Sequence, residues 1–162
     1  QVDAFMRGVA CNQSITELTI KTDLNVQGFK NLGLFLRNNK SLTDLRFVNF
    51  LVGRECAHYI AMALEQCRNS SLRSFVLESS YDEDTFSEIA TVLRFQSQLE
   101  ELHIDCNNIG RNGCVALGNT LRRWQSSNLK CLSLFSNAID DLGLQALVEG
   151  MSNCSNLRTV NL

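Results

Sequence analysis

The most constraining feature of this chain is a spelling that returns at nearly fixed intervals. The stretch Leu99 to Ile109, LEELHIDCNNI, sets apolar residues at Leu99, Leu102, Ile104 and Ile109 around Asn107. It returns at Leu129, Leu132, Leu134, Asn137 and Ile139, and its first half returns as Ile15/Leu18/Ile20, Leu42/Leu45/Phe47, Leu72/Phe75/Leu77 and Leu157/Val160/Leu162. The six copies follow one another in steps of 27, 30, 27, 30 and 28 residues. In each, the two-residue alternation of a strand turns the apolar residues inward and their neighbours outward. Behind the strands come apolar residues at helical spacing: Phe29/Leu32/Leu36, Cys56/Ala57/Ile60/Leu64, Phe86/Ile89/Leu93, Cys114/Leu117/Leu121 and Leu144/Leu147/Met151. One such unit cannot bury its own apolar face, so neighbours must stack.

A short strand and a full helix alternating at this period resemble the leucine-rich repeat. Leu99–Leu121 and Leu129–Met151 match most closely, and there the similarity sharpens to the ribonuclease-inhibitor-like subfamily. The resemblance implies an α/β solenoid, a horseshoe sector with parallel strands on the concave side and helices on the convex side. Elementary spacing agrees, because strands pair about 4.8 Å apart while helix axes need roughly 8 to 10 Å. The chain is then one leucine-rich-repeat domain over 1–162, with full units 15–41, 42–71, 72–98, 99–128 and 129–156. Residues 1–14 read as the helix of a preceding unit, with Val2, Phe5 and Val9 in the register of Phe29, Leu32 and Leu36, and 157–162 as the strand of a following one. A fragment of a longer array is expected. In the family, the asparagine at the place of Asn107 and Asn137 satisfies loop backbone groups between neighbouring turns. Asp23, Phe50 and Ser80 stand there in the first three units, with Asn25 or Asn49 as substitutes. Gly113 and Gly143, six residues after the asparagine, are expected to let the first turn of each helix approach the neighbouring repeat.

Composition narrows the partners. With 15 basic and 17 acidic residues the net charge is −2, which draws the chain neither to nucleic acid nor to an anionic membrane. No apolar run approaches a membrane span of roughly 18 residues. The seven cysteines lack CxxC spacing and read as free thiols of a reducing, cytoplasmic protein. The sequons at Asn12, Asn39, Asn69 and Asn153 all fall three or four residues before a unit begins, where helix must turn into strand. Turn chemistry explains them without sugar. The run Asp82, Glu83, Asp84 suits a helix N-terminus and lacks the glycine and terminal glutamate of a calcium loop.

Outward strand positions form three rows: Glu17, Asp44, Ser74, Glu101, Cys131, Thr159; then Thr19, Arg46, Val76, His103, Ser133, Asn161; then Lys21, Val48, Glu78, Asp105, Phe135. Five carboxylates stand there against Lys21 and Arg46, so a basic patch on a protein partner is complementary. No second histidine completes a zinc site with His103, Cys131 is offset from His103 in register, and no phosphate-loop or nucleophile-elbow motif occurs. No metal, cofactor or catalytic residue is therefore expected. Trp124 reads as a cover for the core edge, with an exposed anchor as the alternative, and Phe135 as an exposed contact residue. The expectation is a non-enzymatic module that binds a protein through Arg46, Glu78, Glu101, His103, Asp105 and Phe135. The resemblance also leaves open a GTPase regulator like the Ran GTPase-activating protein and the substrate-receptor arm of a ubiquitin ligase.

Overall fold

The computed structural model describes residues 2–21, 24–48, 54–67, 71–78, 83–124 and 128–162, without the side chains of residues 2, 3, 5 and 6. Strands and helices alternate: α1 (Val2–Val9), β1 (Glu17–Ile20), α2 (Val26–Asn38), β2 (Asp44–Val48), α3 (Arg54–Gln66), β3 (Ser74–Glu78), α4 (Glu83–Val92, continued by a 3-10 turn Leu93–Phe95), β4 (Glu101–His103), α5 (Gly110–Arg123), β5 (Cys131–Ser133), α6 (Asp141–Met151) and β6 (Thr159–Asn161). The strands form one sheet in sequence order, β1-β2-β3-β4-β5-β6. Every neighbouring pair is parallel. This is the α/β solenoid expected from the period.

The pairing register follows the spelling. Leu18, Leu45, Phe75, Leu102, Leu132 and Val160 make one rung across all six strands. All but Val160 are buried. The helices bring their apolar stripes onto the same layer: Phe29, Leu32, Leu36, Ala57, Ile60, Leu64, Phe86, Ile89, Leu93, Cys114, Leu117 and Leu121 are buried. Cys56 is only half-buried. On α1, Val9 is buried; the side chains of Val2 and Phe5 lie outside the described ones. α6 differs, because no further helix lies on its far side among the described residues. Leu147 faces α5 and is fully buried, but Leu144, Val148 and Leu142 remain exposed.

The two glycines singled out in the sequence lie where expected. A Cβ on Gly113 would come within 3.0 Å of Phe86, and one on Gly143 within 3.2 Å of Cys114 Cβ, each in the preceding unit. A tighter approach follows further along the same helices. A Cβ on Gly118 would stand 2.2 Å from the Ala146 carbonyl oxygen, and one on Gly150 2.3 Å from that of Gly118. The backbones of α5 and α6 therefore touch where neither has a side chain.

Candidate functional site

The face of the sheet away from the helices displays the three outward rows. The first is continuous from Glu17 through Asp44, Ser74, Glu101 and Cys131 to Thr159, and the second from Thr19 through Arg46, Val76, His103 and Ser133 to Asn161. Val48 pairs with Glu78, and the β3–β4 register continued two residues sets Glu78 beside Asp105. The face is not evenly solvated. Ser74 is 5% and Val76 4% exposed. These short side chains are flanked at ladder spacing by the longer Asp44, Arg46, Glu101 and His103. They divide the face into an Arg46 side and a Glu101–His103–Asp105 side.

On that second side His103 stands between two carboxylates. Its Nε2 is 3.7 Å from Glu101 Oε2 and its Nδ1 3.9 Å from Asp105 Oδ2, so each becomes an ion pair only when the ring is protonated. Asp105 is more than a surface charge. Its Oδ1 accepts from Ser133 Oγ at 2.7 Å and from the Phe135 N–H at 2.8 Å, which fastens β4 to the turn after β5. The Phe135 carbonyl in turn accepts the Cys106 N–H at 2.8 Å. Phe135 is thus held by its backbone from both sides while 54% of its surface faces solvent. Arg46 is half exposed, 4.0 Å from Asp44.

Cys131 pairs with Glu101, while His103 pairs with Ser133, so thiol and imidazole do not face each other. Burial, with Glu101 and Asp105 nearby, pushes the Cys131 thiol above its ordinary range. Such a thiol is a poor nucleophile. Among the described residues no group of three or more His, Cys, Asp or Glu side chains is placed to hold a metal ion. None of their helices is long and apolar enough to cross a membrane. His58 pairs through Nδ1 with Glu88 of the next helix, on the opposite side of the molecule.

Two polar ladders brace the rims of this face. On one rim Asn107 donates to the carbonyls of Leu77 at 2.8 Å and Asp105 at 2.9 Å. Asn137 repeats the pattern one unit later, toward Ile104 at 2.6 Å and Leu134 at 2.8 Å. Asp23, Phe50, Ser80 and Asn49 lie outside the described residues; Asn25 caps α2 by accepting the Gly28 N–H at 2.9 Å.

The other rim carries a second ladder at the sequon column, where the turn chemistry expected from the sequence is present and the bonds between units are what sequence reasoning missed. Asn39 accepts the Ser41 and Leu42 N–H groups at 2.8 and 2.7 Å and donates to the Asn12 and Ile15 carbonyls, both at 3.1 Å. Asn12 makes the same turn one unit earlier, accepting from Ser14 and Ile15. Gln96, three residues before Leu99, is fully buried and donates to Leu64 O at 2.6 Å. The serine of the sequon has its own part, since Ser41 Oγ donates to Gln13 O and Ser71 Oγ to Leu42 O. Asn153 donates to Arg122 O, and Asn69 lies outside the described residues. The signal was the column itself, an amide three residues before each of several unit starts. Trp124 is 2% exposed and belongs to the core, as does Cys67 at the end of α3.

Comparison with known proteins agrees with this architecture. A family model described as "Leucine Rich repeat" matches residues 97–118 and 125–148. Protein NLRC5 of Ictalurus punctatus is 28% identical over 158 residues, which is 94% of this chain but only 9% of that protein. Among solved structures, the tropomodulin C-terminal domain of Caenorhabditis elegans superposes with a TM-score of 0.64 at 11% identity, covering 94% of this chain and 90% of that one.

Proposed function

Because this chain is a leucine-rich-repeat protein whose ladder presents its outward strand residues as one surface, we propose that it is a protein-recognition module that binds a basic partner on the concave sheet face. Phe135 supports this reading most. An aromatic ring 54% exposed, on a backbone fixed by Asp105 and Cys106, is the kind of pre-organised anchor that dominates binding energy. Around it Glu78, Glu101 and Asp105 supply negative charge and His103 a polar edge, while Arg46 stands apart as a specificity contact. The period of 27 to 30 residues, with helices of up to 14 residues, supports the ribonuclease-inhibitor-like subfamily.

Asp105 is a poor site for a test because it also braces the fold. The clean variants are Glu78→Lys/Glu101→Lys and Phe135→Ala. A fluorescein-labelled deca-lysine reports the charge component. The double variant is expected to weaken its binding at 50 mM salt by about tenfold, since two attractions at this face become repulsions. Equal binding by wild type and variant would refute the concave-face reading.

A further inference from the structure

The net charge of −2 conceals a separation of charge across the width of the sheet. Each strand runs toward the edge where helices begin, and each helix returns to the edge where strands begin. The edge of helix starts carries Glu83, Asp84, Asp140 and Asp141, of which Asp84 and Asp140 are paired with Arg54 and Arg111, leaving Glu83 and Asp141 as its surplus. The edge of helix ends and strand starts carries Arg73, Arg94, Arg123, Lys130 and Arg158, and besides Glu100 its carboxylates are Glu65 and Glu149 in the last helical turns and Glu17, Asp44 and Glu101 where strands turn onto the concave face. We propose that this basic edge is a docking surface for an acidic polypeptide segment, separate from the concave face and of opposite sign.

Helix-dipole complementarity is the plainer account of such a pattern, since cations favour helix C-termini. It covers Arg94 and Arg123. It does not cover Arg73, Lys130 and Arg158, which directly precede β3, β5 and β6 and lie at no helix end. The row they form with Glu100 follows the ladder. Arg73 Nη1 is 3.2 Å and Lys130 Nζ 2.7 Å from the Glu100 carboxylate. The Lys130 hydrogen bond, with both cations close by, holds the Glu100 carboxyl below its usual range. One carboxylate thus stands between two cations that are 63% and 56% exposed. Arg123 and Arg158 are exposed and, among the described residues, make no ion pair. The row keeps a surplus of positive charge at the surface.

Distance makes the edge an independent field. α5 alone has 14 residues, and a helix of that length spans about 20 Å at 1.5 Å per residue. Physiological salt screens charges beyond about 8 Å, so a partner at the basic edge is not repelled by the acidic one. From Arg73 to Arg158 the row crosses three ladder steps, roughly 14 Å, the reach of an extended segment of four or five residues. A protein segment fits better than nucleic acid. Glu100 interrupts the row with a fixed negative charge, and the described edge offers no open aromatic on which a base could stack. Trp124 is buried, and the Arg94 guanidinium lies 4.9 Å over the Phe95 ring.

The test uses the full chain with fluorescein-labelled deca-glutamate at 50 mM salt, and Arg123→Glu/Arg158→Glu as the variant. Lys21→Glu/Lys30→Glu is the control, with the same change in net charge away from this edge. The edge variant is expected to bind deca-glutamate about tenfold more weakly than wild type. The control is expected to change little, and far-UV circular dichroism should be the same for all three. An equal loss in both variants, or none in the edge variant, would overturn the proposal. So would tighter binding of wild type to a ten-residue oligothymidylate or to phosphatidylserine vesicles than to deca-glutamate. The deca-lysine assay of the concave face is independent, so either reading can fail alone.

Discussion

Replacing Gly118 by alanine asks whether the α5–α6 contact is made by backbones. Alanine is the better helix former, by about 0.8 to 1 kcal/mol in a helix interior, so propensity alone favours the change. Geometry opposes it. The new Cβ would lie 2.2 Å from the Ala146 carbonyl oxygen and 2.8 Å from its carbon, and backbone cannot rotate away as a side chain can. α6 must retreat by about 1 Å, and a gap of 0.5 to 1 Å forfeits a quarter to a half of each dispersion contact along the interface. Overpacking of this kind costs about 1 to 3 kcal/mol. With the propensity gain subtracted, the net loss runs up to about 2 kcal/mol with a midpoint of about 1 kcal/mol, and that midpoint is a fall in Tm of about 2 to 4 °C for a chain of this size. Gly33→Ala is the matched control, because its Cβ would meet Ala63 Cβ at 3.5 Å, an ordinary contact. There propensity acts unopposed, and a gain of about 0.5 to 1 kcal/mol is expected. Thermal unfolding followed by far-UV circular dichroism measures both. A Gly118→Ala protein as stable as wild type would refute the reasoning, as would Gly33→Ala falling by the same amount.

Asn107→Ala is expected to cost about 1 to 3 kcal/mol in urea unfolding, because the Leu77 and Asp105 carbonyls both lose a donor in a 7%-exposed setting. Iodoacetamide at pH 8 should label exposed Cys11 and Cys106 in the native protein long before Cys67 and Cys114, whose thiols burial pushes up to about 11; peptide mass mapping reads the order. The hydrogen bond from Arg111, reinforced by the Gly143 N–H, holds the Asp140 carboxyl below its usual range. Its contribution to stability is therefore complete above the ordinary aspartate value near 3.9 and is lost as pH falls through the lowered folded value. The difference between wild type and Asp140→Asn in urea midpoint should be flat above about pH 5 and shrink under more acid conditions. Expressed through a secretory pathway, the chain should carry no glycan at Asn39, which is 4% exposed with its amide given to Asn12 and Ile15; intact-peptide mass spectrometry decides it.

What the sequence makes legible is whatever repeats. The period and the two-residue alternation are enough to name the rung Leu18–Leu45–Phe75–Leu102–Leu132–Val160 and both continuous outward rows, because each residue's face follows from its own position in the unit. Relations between units are harder to read. Gly118 and Gly150 touch, yet they stand at different offsets from the unit starts Leu129 and Leu157, so no column aligns them. Alternation places Ser74 and Val76 outward, but their burial depends on the length of the side chains one strand away. Asp105 looks like a free carboxylate until its bonds to Ser133 and Phe135 appear. The charge difference between the edges cancels in the totals and emerges only when helix ends and strand starts are brought to one side.

Mapping backbone amide shifts while deca-lysine is titrated into the 15N-labelled chain tests the central claim most directly. The largest changes are expected at residues 101–105 and 133–135 and at Glu78, with the outer helices α2 to α5 nearly silent. Changes concentrated on those helices, with the strand amides unmoved, would contradict it.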